Sequence, residues 1–106
     1  STVVTAKANG VTATFNNPFS RVDFYAPLGT DLVLVGSVPA ASASLVDDGA
    51  TRVWTYSLTL QASTLYTQLG GVSPAVVGPV NIYAFGVSPT GTVALVAQPV
   101  AETINP

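Results

Sequence analysis

The chain is 106 residues long, 48% apolar and only 8% charged, with a formal net charge of −2. That length suits one domain, spanning residues 1–106, and buries roughly two-thirds of the surface of its unfolded chain. The chain contains no Cys, His or Met, which excludes disulfides, zinc fingers, thiol nucleophiles, imidazole bases and the usual axial ligands of haem.

Taken in chain order, the sequence reads as short β runs between turn residues. Runs are expected at Val3–Ala6, Val11–Phe15, Arg21–Ala26, Asp31–Val38, Ala43–Val46, Arg52–Leu60, Val80–Val87 and Thr92–Ala97. Breaks fall at Asn9-Gly10, Asn16-Asn17-Pro18, Pro27-Leu28-Gly29, Pro39, Asp47-Asp48-Gly49, the stretch 70–79 and Ser88-Pro89-Thr90-Gly91. Each has a mechanism: Gly accepts positive φ, Pro fixes φ and lacks a donor, and Asn or Asp bonds back to its own backbone. The one helix candidate is Gln61–Leu69, where Leu65 and Leu69 share a face. Its Ser and Thr content and the following Gly70-Gly71 grant a single short turn. Seven or eight strands at this spacing predict an all-β antiparallel sandwich. No repeat of fixed period is visible.

Alternation assigns faces. In Arg52–Leu60, the set Trp54, Tyr56, Leu58 and Leu60 should face the core and Val53, Thr55, Ser57 and Thr59 the outside. In Arg21–Ala26, Val22 and Phe24 point inward against Asp23 and Tyr25. Val80–Val87 is apolar on both faces, so its pattern leaves the choice open, and Asp31–Val38 and Thr92–Ala97 share that ambiguity.

Three segments carry a resemblance. RVDFYAPLGTDLVLVGSV resembles the middle strands of bacterial immunoglobulin-like repeat domains, RVWTYSLTL their central strand, and VNIYAFGVSPTG their penultimate strand and hairpin. Together the likeness covers about residues 10–104. It implies an immunoglobulin-like sandwich of about seven strands, found as tandem modules of secreted or surface-anchored proteins, adhesins among them, and as appendages on enzymes and phage particles. It carries no catalytic residues and no cofactor. Many members place an Asp in the penultimate hairpin where this chain has Ser88 and Pro89, so it implies no cation site here. The resemblance also resolves the ambiguous strand: Val80, Ile82, Ala84 and Gly86 inside, Tyr83 and Phe85 outside. Tyr25, Tyr83 and Phe85 then form one outward aromatic patch, the candidate binding site. Val93 and Leu95, or Ala94 and Val96, extend it according to register.

The remaining chemistry is thin. Lys7, Arg21 and Arg52 are too few and scattered for a basic patch, which argues against nucleic acid and anionic membranes as partners. No apolar run approaches the 18 or more residues of a membrane span. Asp47-Asp48-Gly49 reads as a turn before it reads as calcium ligands, because two adjacent carboxylates supply few of the oxygens calcium needs. Asp23 and Asp31 qualify as an acid pair only by count, and the expectation is no enzyme. Lys7 with Asn81 or Asn105 could supply an intramolecular amide bond, but a plain solvated amine is the simpler reading. Ser1–Gly10 has no charged start followed by an apolar stretch, so no signal peptide is expected, and the abrupt ends read as a processed or excised piece.

Scarce charge with apolar residues on both faces of several strands leads to the main expectation. The chain is a non-catalytic structural module whose outer face is covered in an extracellular, cell-surface or virion-surface assembly. Its partners would be neighbouring immunoglobulin-like modules or other copies of itself. The competing expectation is a carbohydrate-binding module, in which sugar rings stack on Tyr25, Tyr83 and Phe85.

Overall fold

The computed structural model describes residues 1–10, 14–71 and 77–106, with the side chains of 97 and 98 set aside. Seven strands occur among the described residues: β1 (Thr2–Gly10), β2 (Arg21–Leu28), β3 (Asp31–Pro39), β4 (Ser44–Asp47), β5 (Arg52–Leu60), β6 (Val77–Val87) and β7 (Val93–Ile104). A helix, α1 (Ala62–Gln68), joins β5 toward β6. The strands build a three-stranded sheet, β1-β5-β4, and a four-stranded sheet, β3-β2-β6-β7. All pairings are antiparallel. The protein is the all-β antiparallel sandwich that the turn spacing predicts.

The core lies between the sheets, where alternation puts it. Val4, Ala6, Tyr56 and Leu60 come from one sheet, and Val22, Phe24, Ala26, Ile82 and Ala84 from the other, all buried. Phe24 and Tyr56 are the largest fully buried side chains among the described residues, each stabilising the fold by about 1.5–3 kcal/mol through burial. The Tyr56 hydroxyl still needs a partner in that setting. It accepts a hydrogen bond from Asn17 Nδ2, and Asn17 Oδ1 accepts the Phe19 N–H at 3.1 Å. The Asn-Asn-Pro break thus serves the core as well as the turn. Trp54 and Leu58 pack against this core while half-buried, as the in-phase set predicts. Gly36 leaves room for Leu58, whose Cδ2 would lie 2.5 Å from an added Cβ.

Several expectations shift. The run Val11–Phe15 is not a strand where it is described: Thr14 lies in a turn and Phe15 in irregular chain, while 11–13 fall outside the described residues. Phe15 instead tilts onto Trp54, ring centroids 5.3 Å apart. The helix exceeds the single turn expected, because buried Ala62 and Leu65 anchor it from below. Its first amide is held by the Asn105 carbonyl at 3.0 Å. β7 continues to Ile104, beyond the expected end at Ala97, since pairing with β6 carries it to Val77↔Ile104. β2 runs through Pro27, which lies past the last β2–β6 pair, Tyr25↔Tyr83, so its missing N–H costs that ladder nothing. Gly29, at the first position of the two-residue turn closing Leu28↔Asp31, takes φ +64°, which suits glycine there.

Candidate functional site: the outer face of the four-stranded sheet

The site is built by register. In β2, inward Val22, Phe24 and Ala26 force Asp23 and Tyr25 outward. The pairs Asp23↔Phe85 and Tyr25↔Tyr83 place the matching β6 residues on the same face. Tyr25, Tyr83 and Phe85, the residues expected to form the patch, are therefore brought together. Tyr25 and Phe85 meet edge to face, with centroids 5.5 Å apart and planes at 84°. All three rings are half-buried.

The pairings Phe85↔Leu95 and Val87↔Val93 settle the extension in favour of Leu95 and Val93 over Ala94 and Val96. These two are 45% and 59% exposed. On the opposite flank, Tyr25↔Leu34 adds Leu34 at 48% exposure. Alternation did not single out Leu34, because Asp31–Val38 is apolar on both faces, and β3 also carries a bulge. Its register shifts between Phe24↔Gly36 and Tyr25↔Leu34, which turns Leu34 and Ser37 outward and leaves Val35 and Val38 in the core. Across the face, a leucine of β3, aromatics of β2 and β6, and a leucine of β7 stand side by side.

One carboxylate sits within this apolar face. Asp23 is buried at 7% exposure although it points outward. Its Oδ1 accepts from Ser37 Oγ at 2.6 Å and from Arg21 Nε at 3.1 Å. A carboxylate shielded from water is tolerated when it is paired and hydrogen-bonded. The sequence signal was Arg21-Val22-Asp23, an opposite-charge pair two apart and hence on one face of a strand; Ser37 needed the bulge.

The other candidates separate. Asp31 opens β3 opposite Leu28, five residues along β2 from Asp23, or roughly 17 Å at strand rise. The structure therefore does not bring the two carboxylates together. Asp47 and Asp48 are engaged by their own turn: Asp47 Oδ1 takes the Gly49 N–H, and Asp48 Oδ1 takes those of Ala50 (2.9 Å) and Thr51 (2.7 Å). The Thr51 and Ala50 amides hold the Asp48 carboxyl below the usual carboxylate range. Asp47 Oδ2 lies 3.2 Å from Arg52 Nε, and the Arg52 guanidinium stands 5.1 Å over the Trp54 ring. Among the described residues no group of His, Cys, Asp and Glu is placed to hold a metal ion.

Lys7 is exposed on β1, whereas Asn105 meets Thr2 at the start of that strand, its N–H donating to Thr2 Oγ1 at 3.0 Å. Five residues of β1 separate Lys7 from that point, again about 17 Å. Asn81 lies exposed in the other sheet. The structure therefore brings neither asparagine to Lys7, in keeping with the simpler reading of a plain amine. A slot of about 130 Å³ opens between the sheets, lined by Val4, Phe24, Ile82, Ala84, Thr5, Val100 and Glu102. It holds one carboxylate and no opposing acid, base or nucleophile pair. No helix among the described residues is long and apolar enough to cross a membrane. Neither a family model, nor a curated protein, nor a solved structure matches this chain.

Proposed function

We propose that the chain is a non-catalytic structural and interaction module of an extracellular, cell-surface or particle-surface assembly, akin to bacterial immunoglobulin-like repeats. In this reading it docks polypeptide on the outer face of the four-stranded sheet. The supporting observation is the contiguous apolar surface of Tyr25, Tyr83 and Phe85 flanked by Leu34 and Leu95. Covering such a surface yields about 25 cal/mol per Å² before the costs of association. Binding of carbohydrate is the weaker reading, because sugar stacking asks for a flat ring face and Tyr25 meets Phe85 at 84°.

The test places a photo-cross-linking residue at Leu34 or Leu95, or at Ser57 of the other sheet, in the protein in its native setting. Polypeptide adducts from the first two positions and not from Ser57 are expected. A glycan array is the counter-test, and saturable sugar binding that is lost in Tyr83→Ala would replace the proposal with the carbohydrate reading.

A further inference from the structure

We infer that the free edge of β1 takes up an extended segment of another polypeptide as an added strand. That segment sets an aliphatic side chain into the slot between the sheets and, two residues later, a lysine or arginine beside Glu102. The surface is separate from the outer face of the four-stranded sheet.

The first argument is the edge itself. Four strands end the two sheets, β1 and β4 in one and β3 and β7 in the other. An unpaired edge is a template for another strand unless it is short, bulged or interrupted by proline. β4 has four residues, β3 carries a bulge, and β7 contains Pro99 and shifts register against β6. β1 has none of these devices. It is nine residues long, without proline, and stays in unbroken register with β5 from Thr2↔Leu60 to Gly10↔Arg52.

The second argument is the seam between β1 and β7. The two strands are tied at one end, where Thr2 Oγ1 donates to the Thr103 carbonyl at 3.2 Å. From there the seam opens. Along the inward side of β7, Ile104 is fully buried, Glu102 is half-buried, and Val100, paired with buried Ile82, is 56% exposed. An inward-pointing valine more than half exposed marks a part of the core that the described residues leave uncovered. The slot of about 130 Å³ opens there, with Val4 and Thr5 of β1 on one side and Val100 and Glu102 of β7 on the other. It has room for one aliphatic side chain.

Charge and register decide the occupant. Every strand pairing described in this fold is antiparallel, and a strand added antiparallel to β1 runs from the level of Asn9 toward Thr2. It passes Val100 before Glu102, so its inward residues follow the order aliphatic, then cation two positions on. Glu102 makes no ion pair among the described residues, and the added segment supplies the counter-charge. A second copy of this chain does not. Its Arg21 and Arg52 are held by Asp23 and Asp47. Its Lys7 stands on the exposed side of β1, whose inward residues are Val4, Ala6 and Ala8.

The probe is the capped peptide Thr-Val-Thr-Val-Thr-Lys-Thr, titrated to about 1 mM against the isotopically labelled chain and followed by NMR. Saturable shifts are expected at β1, Ile82 and Val100, and alternate amides of β1 should exchange at least about tenfold more slowly. Replacing the peptide's lysine by glutamate should weaken binding by at least about tenfold. Replacing its second valine by proline should abolish saturation. In Glu102→Gln the lysine and glutamate peptides should bind alike. The peptide series acts on the wild-type chain, so its outcome does not depend on a variant folding. Absence of saturation by about 1 mM overturns the inference. So do shifts centred on Leu34 and Leu95, a proline peptide that binds as well, or lysine and glutamate peptides that bind the wild type alike. β1 amides already slow without peptide also overturn it: if the slowing grows with chain concentration the occupant is a second copy, and if it does not the chain covers its own edge. The cross-links expected at Leu34 and Leu95 do not depend on any of these outcomes.

Discussion

The two outer faces of this sandwich cover the same core and differ in chemistry. On the three-stranded sheet, Thr5, Lys7 and Asn9 of β1 stand beside Thr55, Ser57 and Thr59 of β5 and Ser44 of β4. Its apolar members are Val3, set opposite Thr59, and the single pair Val46 and Val53 beside Asn9. On the four-stranded sheet, rings and leucines are contiguous and the charges among the described residues of this face are a self-neutralised pair. Threonine and serine keep an antiparallel face wetted without ionised groups, so low overall charge by itself says nothing about coverage. Coverage becomes an argument where apolar side chains adjoin one another, since scattered ones are normal on any surface.

Several substitutions break or sharpen this contrast. The largest effect lies beneath both faces, where Phe24→Ala should lower unfolding free energy by about 3–5 kcal/mol in chemical denaturation. A smaller loss would mean that the sheets are less tightly coupled through the shared core than the packing indicates. Next comes the polar centre of the aromatic face. Asp23→Ala leaves the Ser37 hydroxyl and Arg21 without their acceptor and should cost about 1–3 kcal/mol. Thr55→Ala, at the centre of the hydroxyl face, should stay within about 0.5–1 kcal/mol. Equal losses at the two positions would erase the distinction between a built polar network and a solvated surface.

The smallest effect is electrostatic and belongs to neither face. Asp48 has its pKa lowered by the Thr51 and Ala50 amides. A group depressed in the folded state stabilises it above the unfolded pKa, and that contribution disappears as pH falls through the folded pKa. An NMR titration should therefore find Asp48 ionising below the usual carboxylate range. Asp48→Asn should flatten the acid side of the stability profile slightly. An Asp48 midpoint at the ordinary carboxylate value would mean that the turn amides are not engaged in solution.

Much of the fold was legible because local chemistry and global packing agree. Arg52–Leu60 alternates cleanly, and β5 occupies those residues. Asp47-Asp48-Gly49 reads as a turn, and its carboxylates cap the turn's own amides. What local pattern misjudged involved distant neighbours. Val11–Phe15 has strand composition, yet Phe15 is used against Trp54. Gln61–Leu69 reads as a single short turn, yet burial of Leu65 holds a helix over Ala62–Gln68. Gly86 is read as facing inward, and the space above it is filled by Phe19 from the segment before β2, at 2.3 Å from a notional Cβ.

The candidate site divides in the same way. Composition and period alone determined that this chain is a sandwich of short antiparallel strands, that Tyr25 points outward, and that thiol and imidazole chemistry is absent. Only tertiary structure decided that Tyr83 stands opposite Tyr25, that a bulge turns Leu34 and Ser37 outward, and that Val93 and Leu95 join the patch. The reason is that alternation is a property of one strand. Membership of a shared face depends on register between strands, which bulges and long-range pairing determine and no single stretch of sequence records.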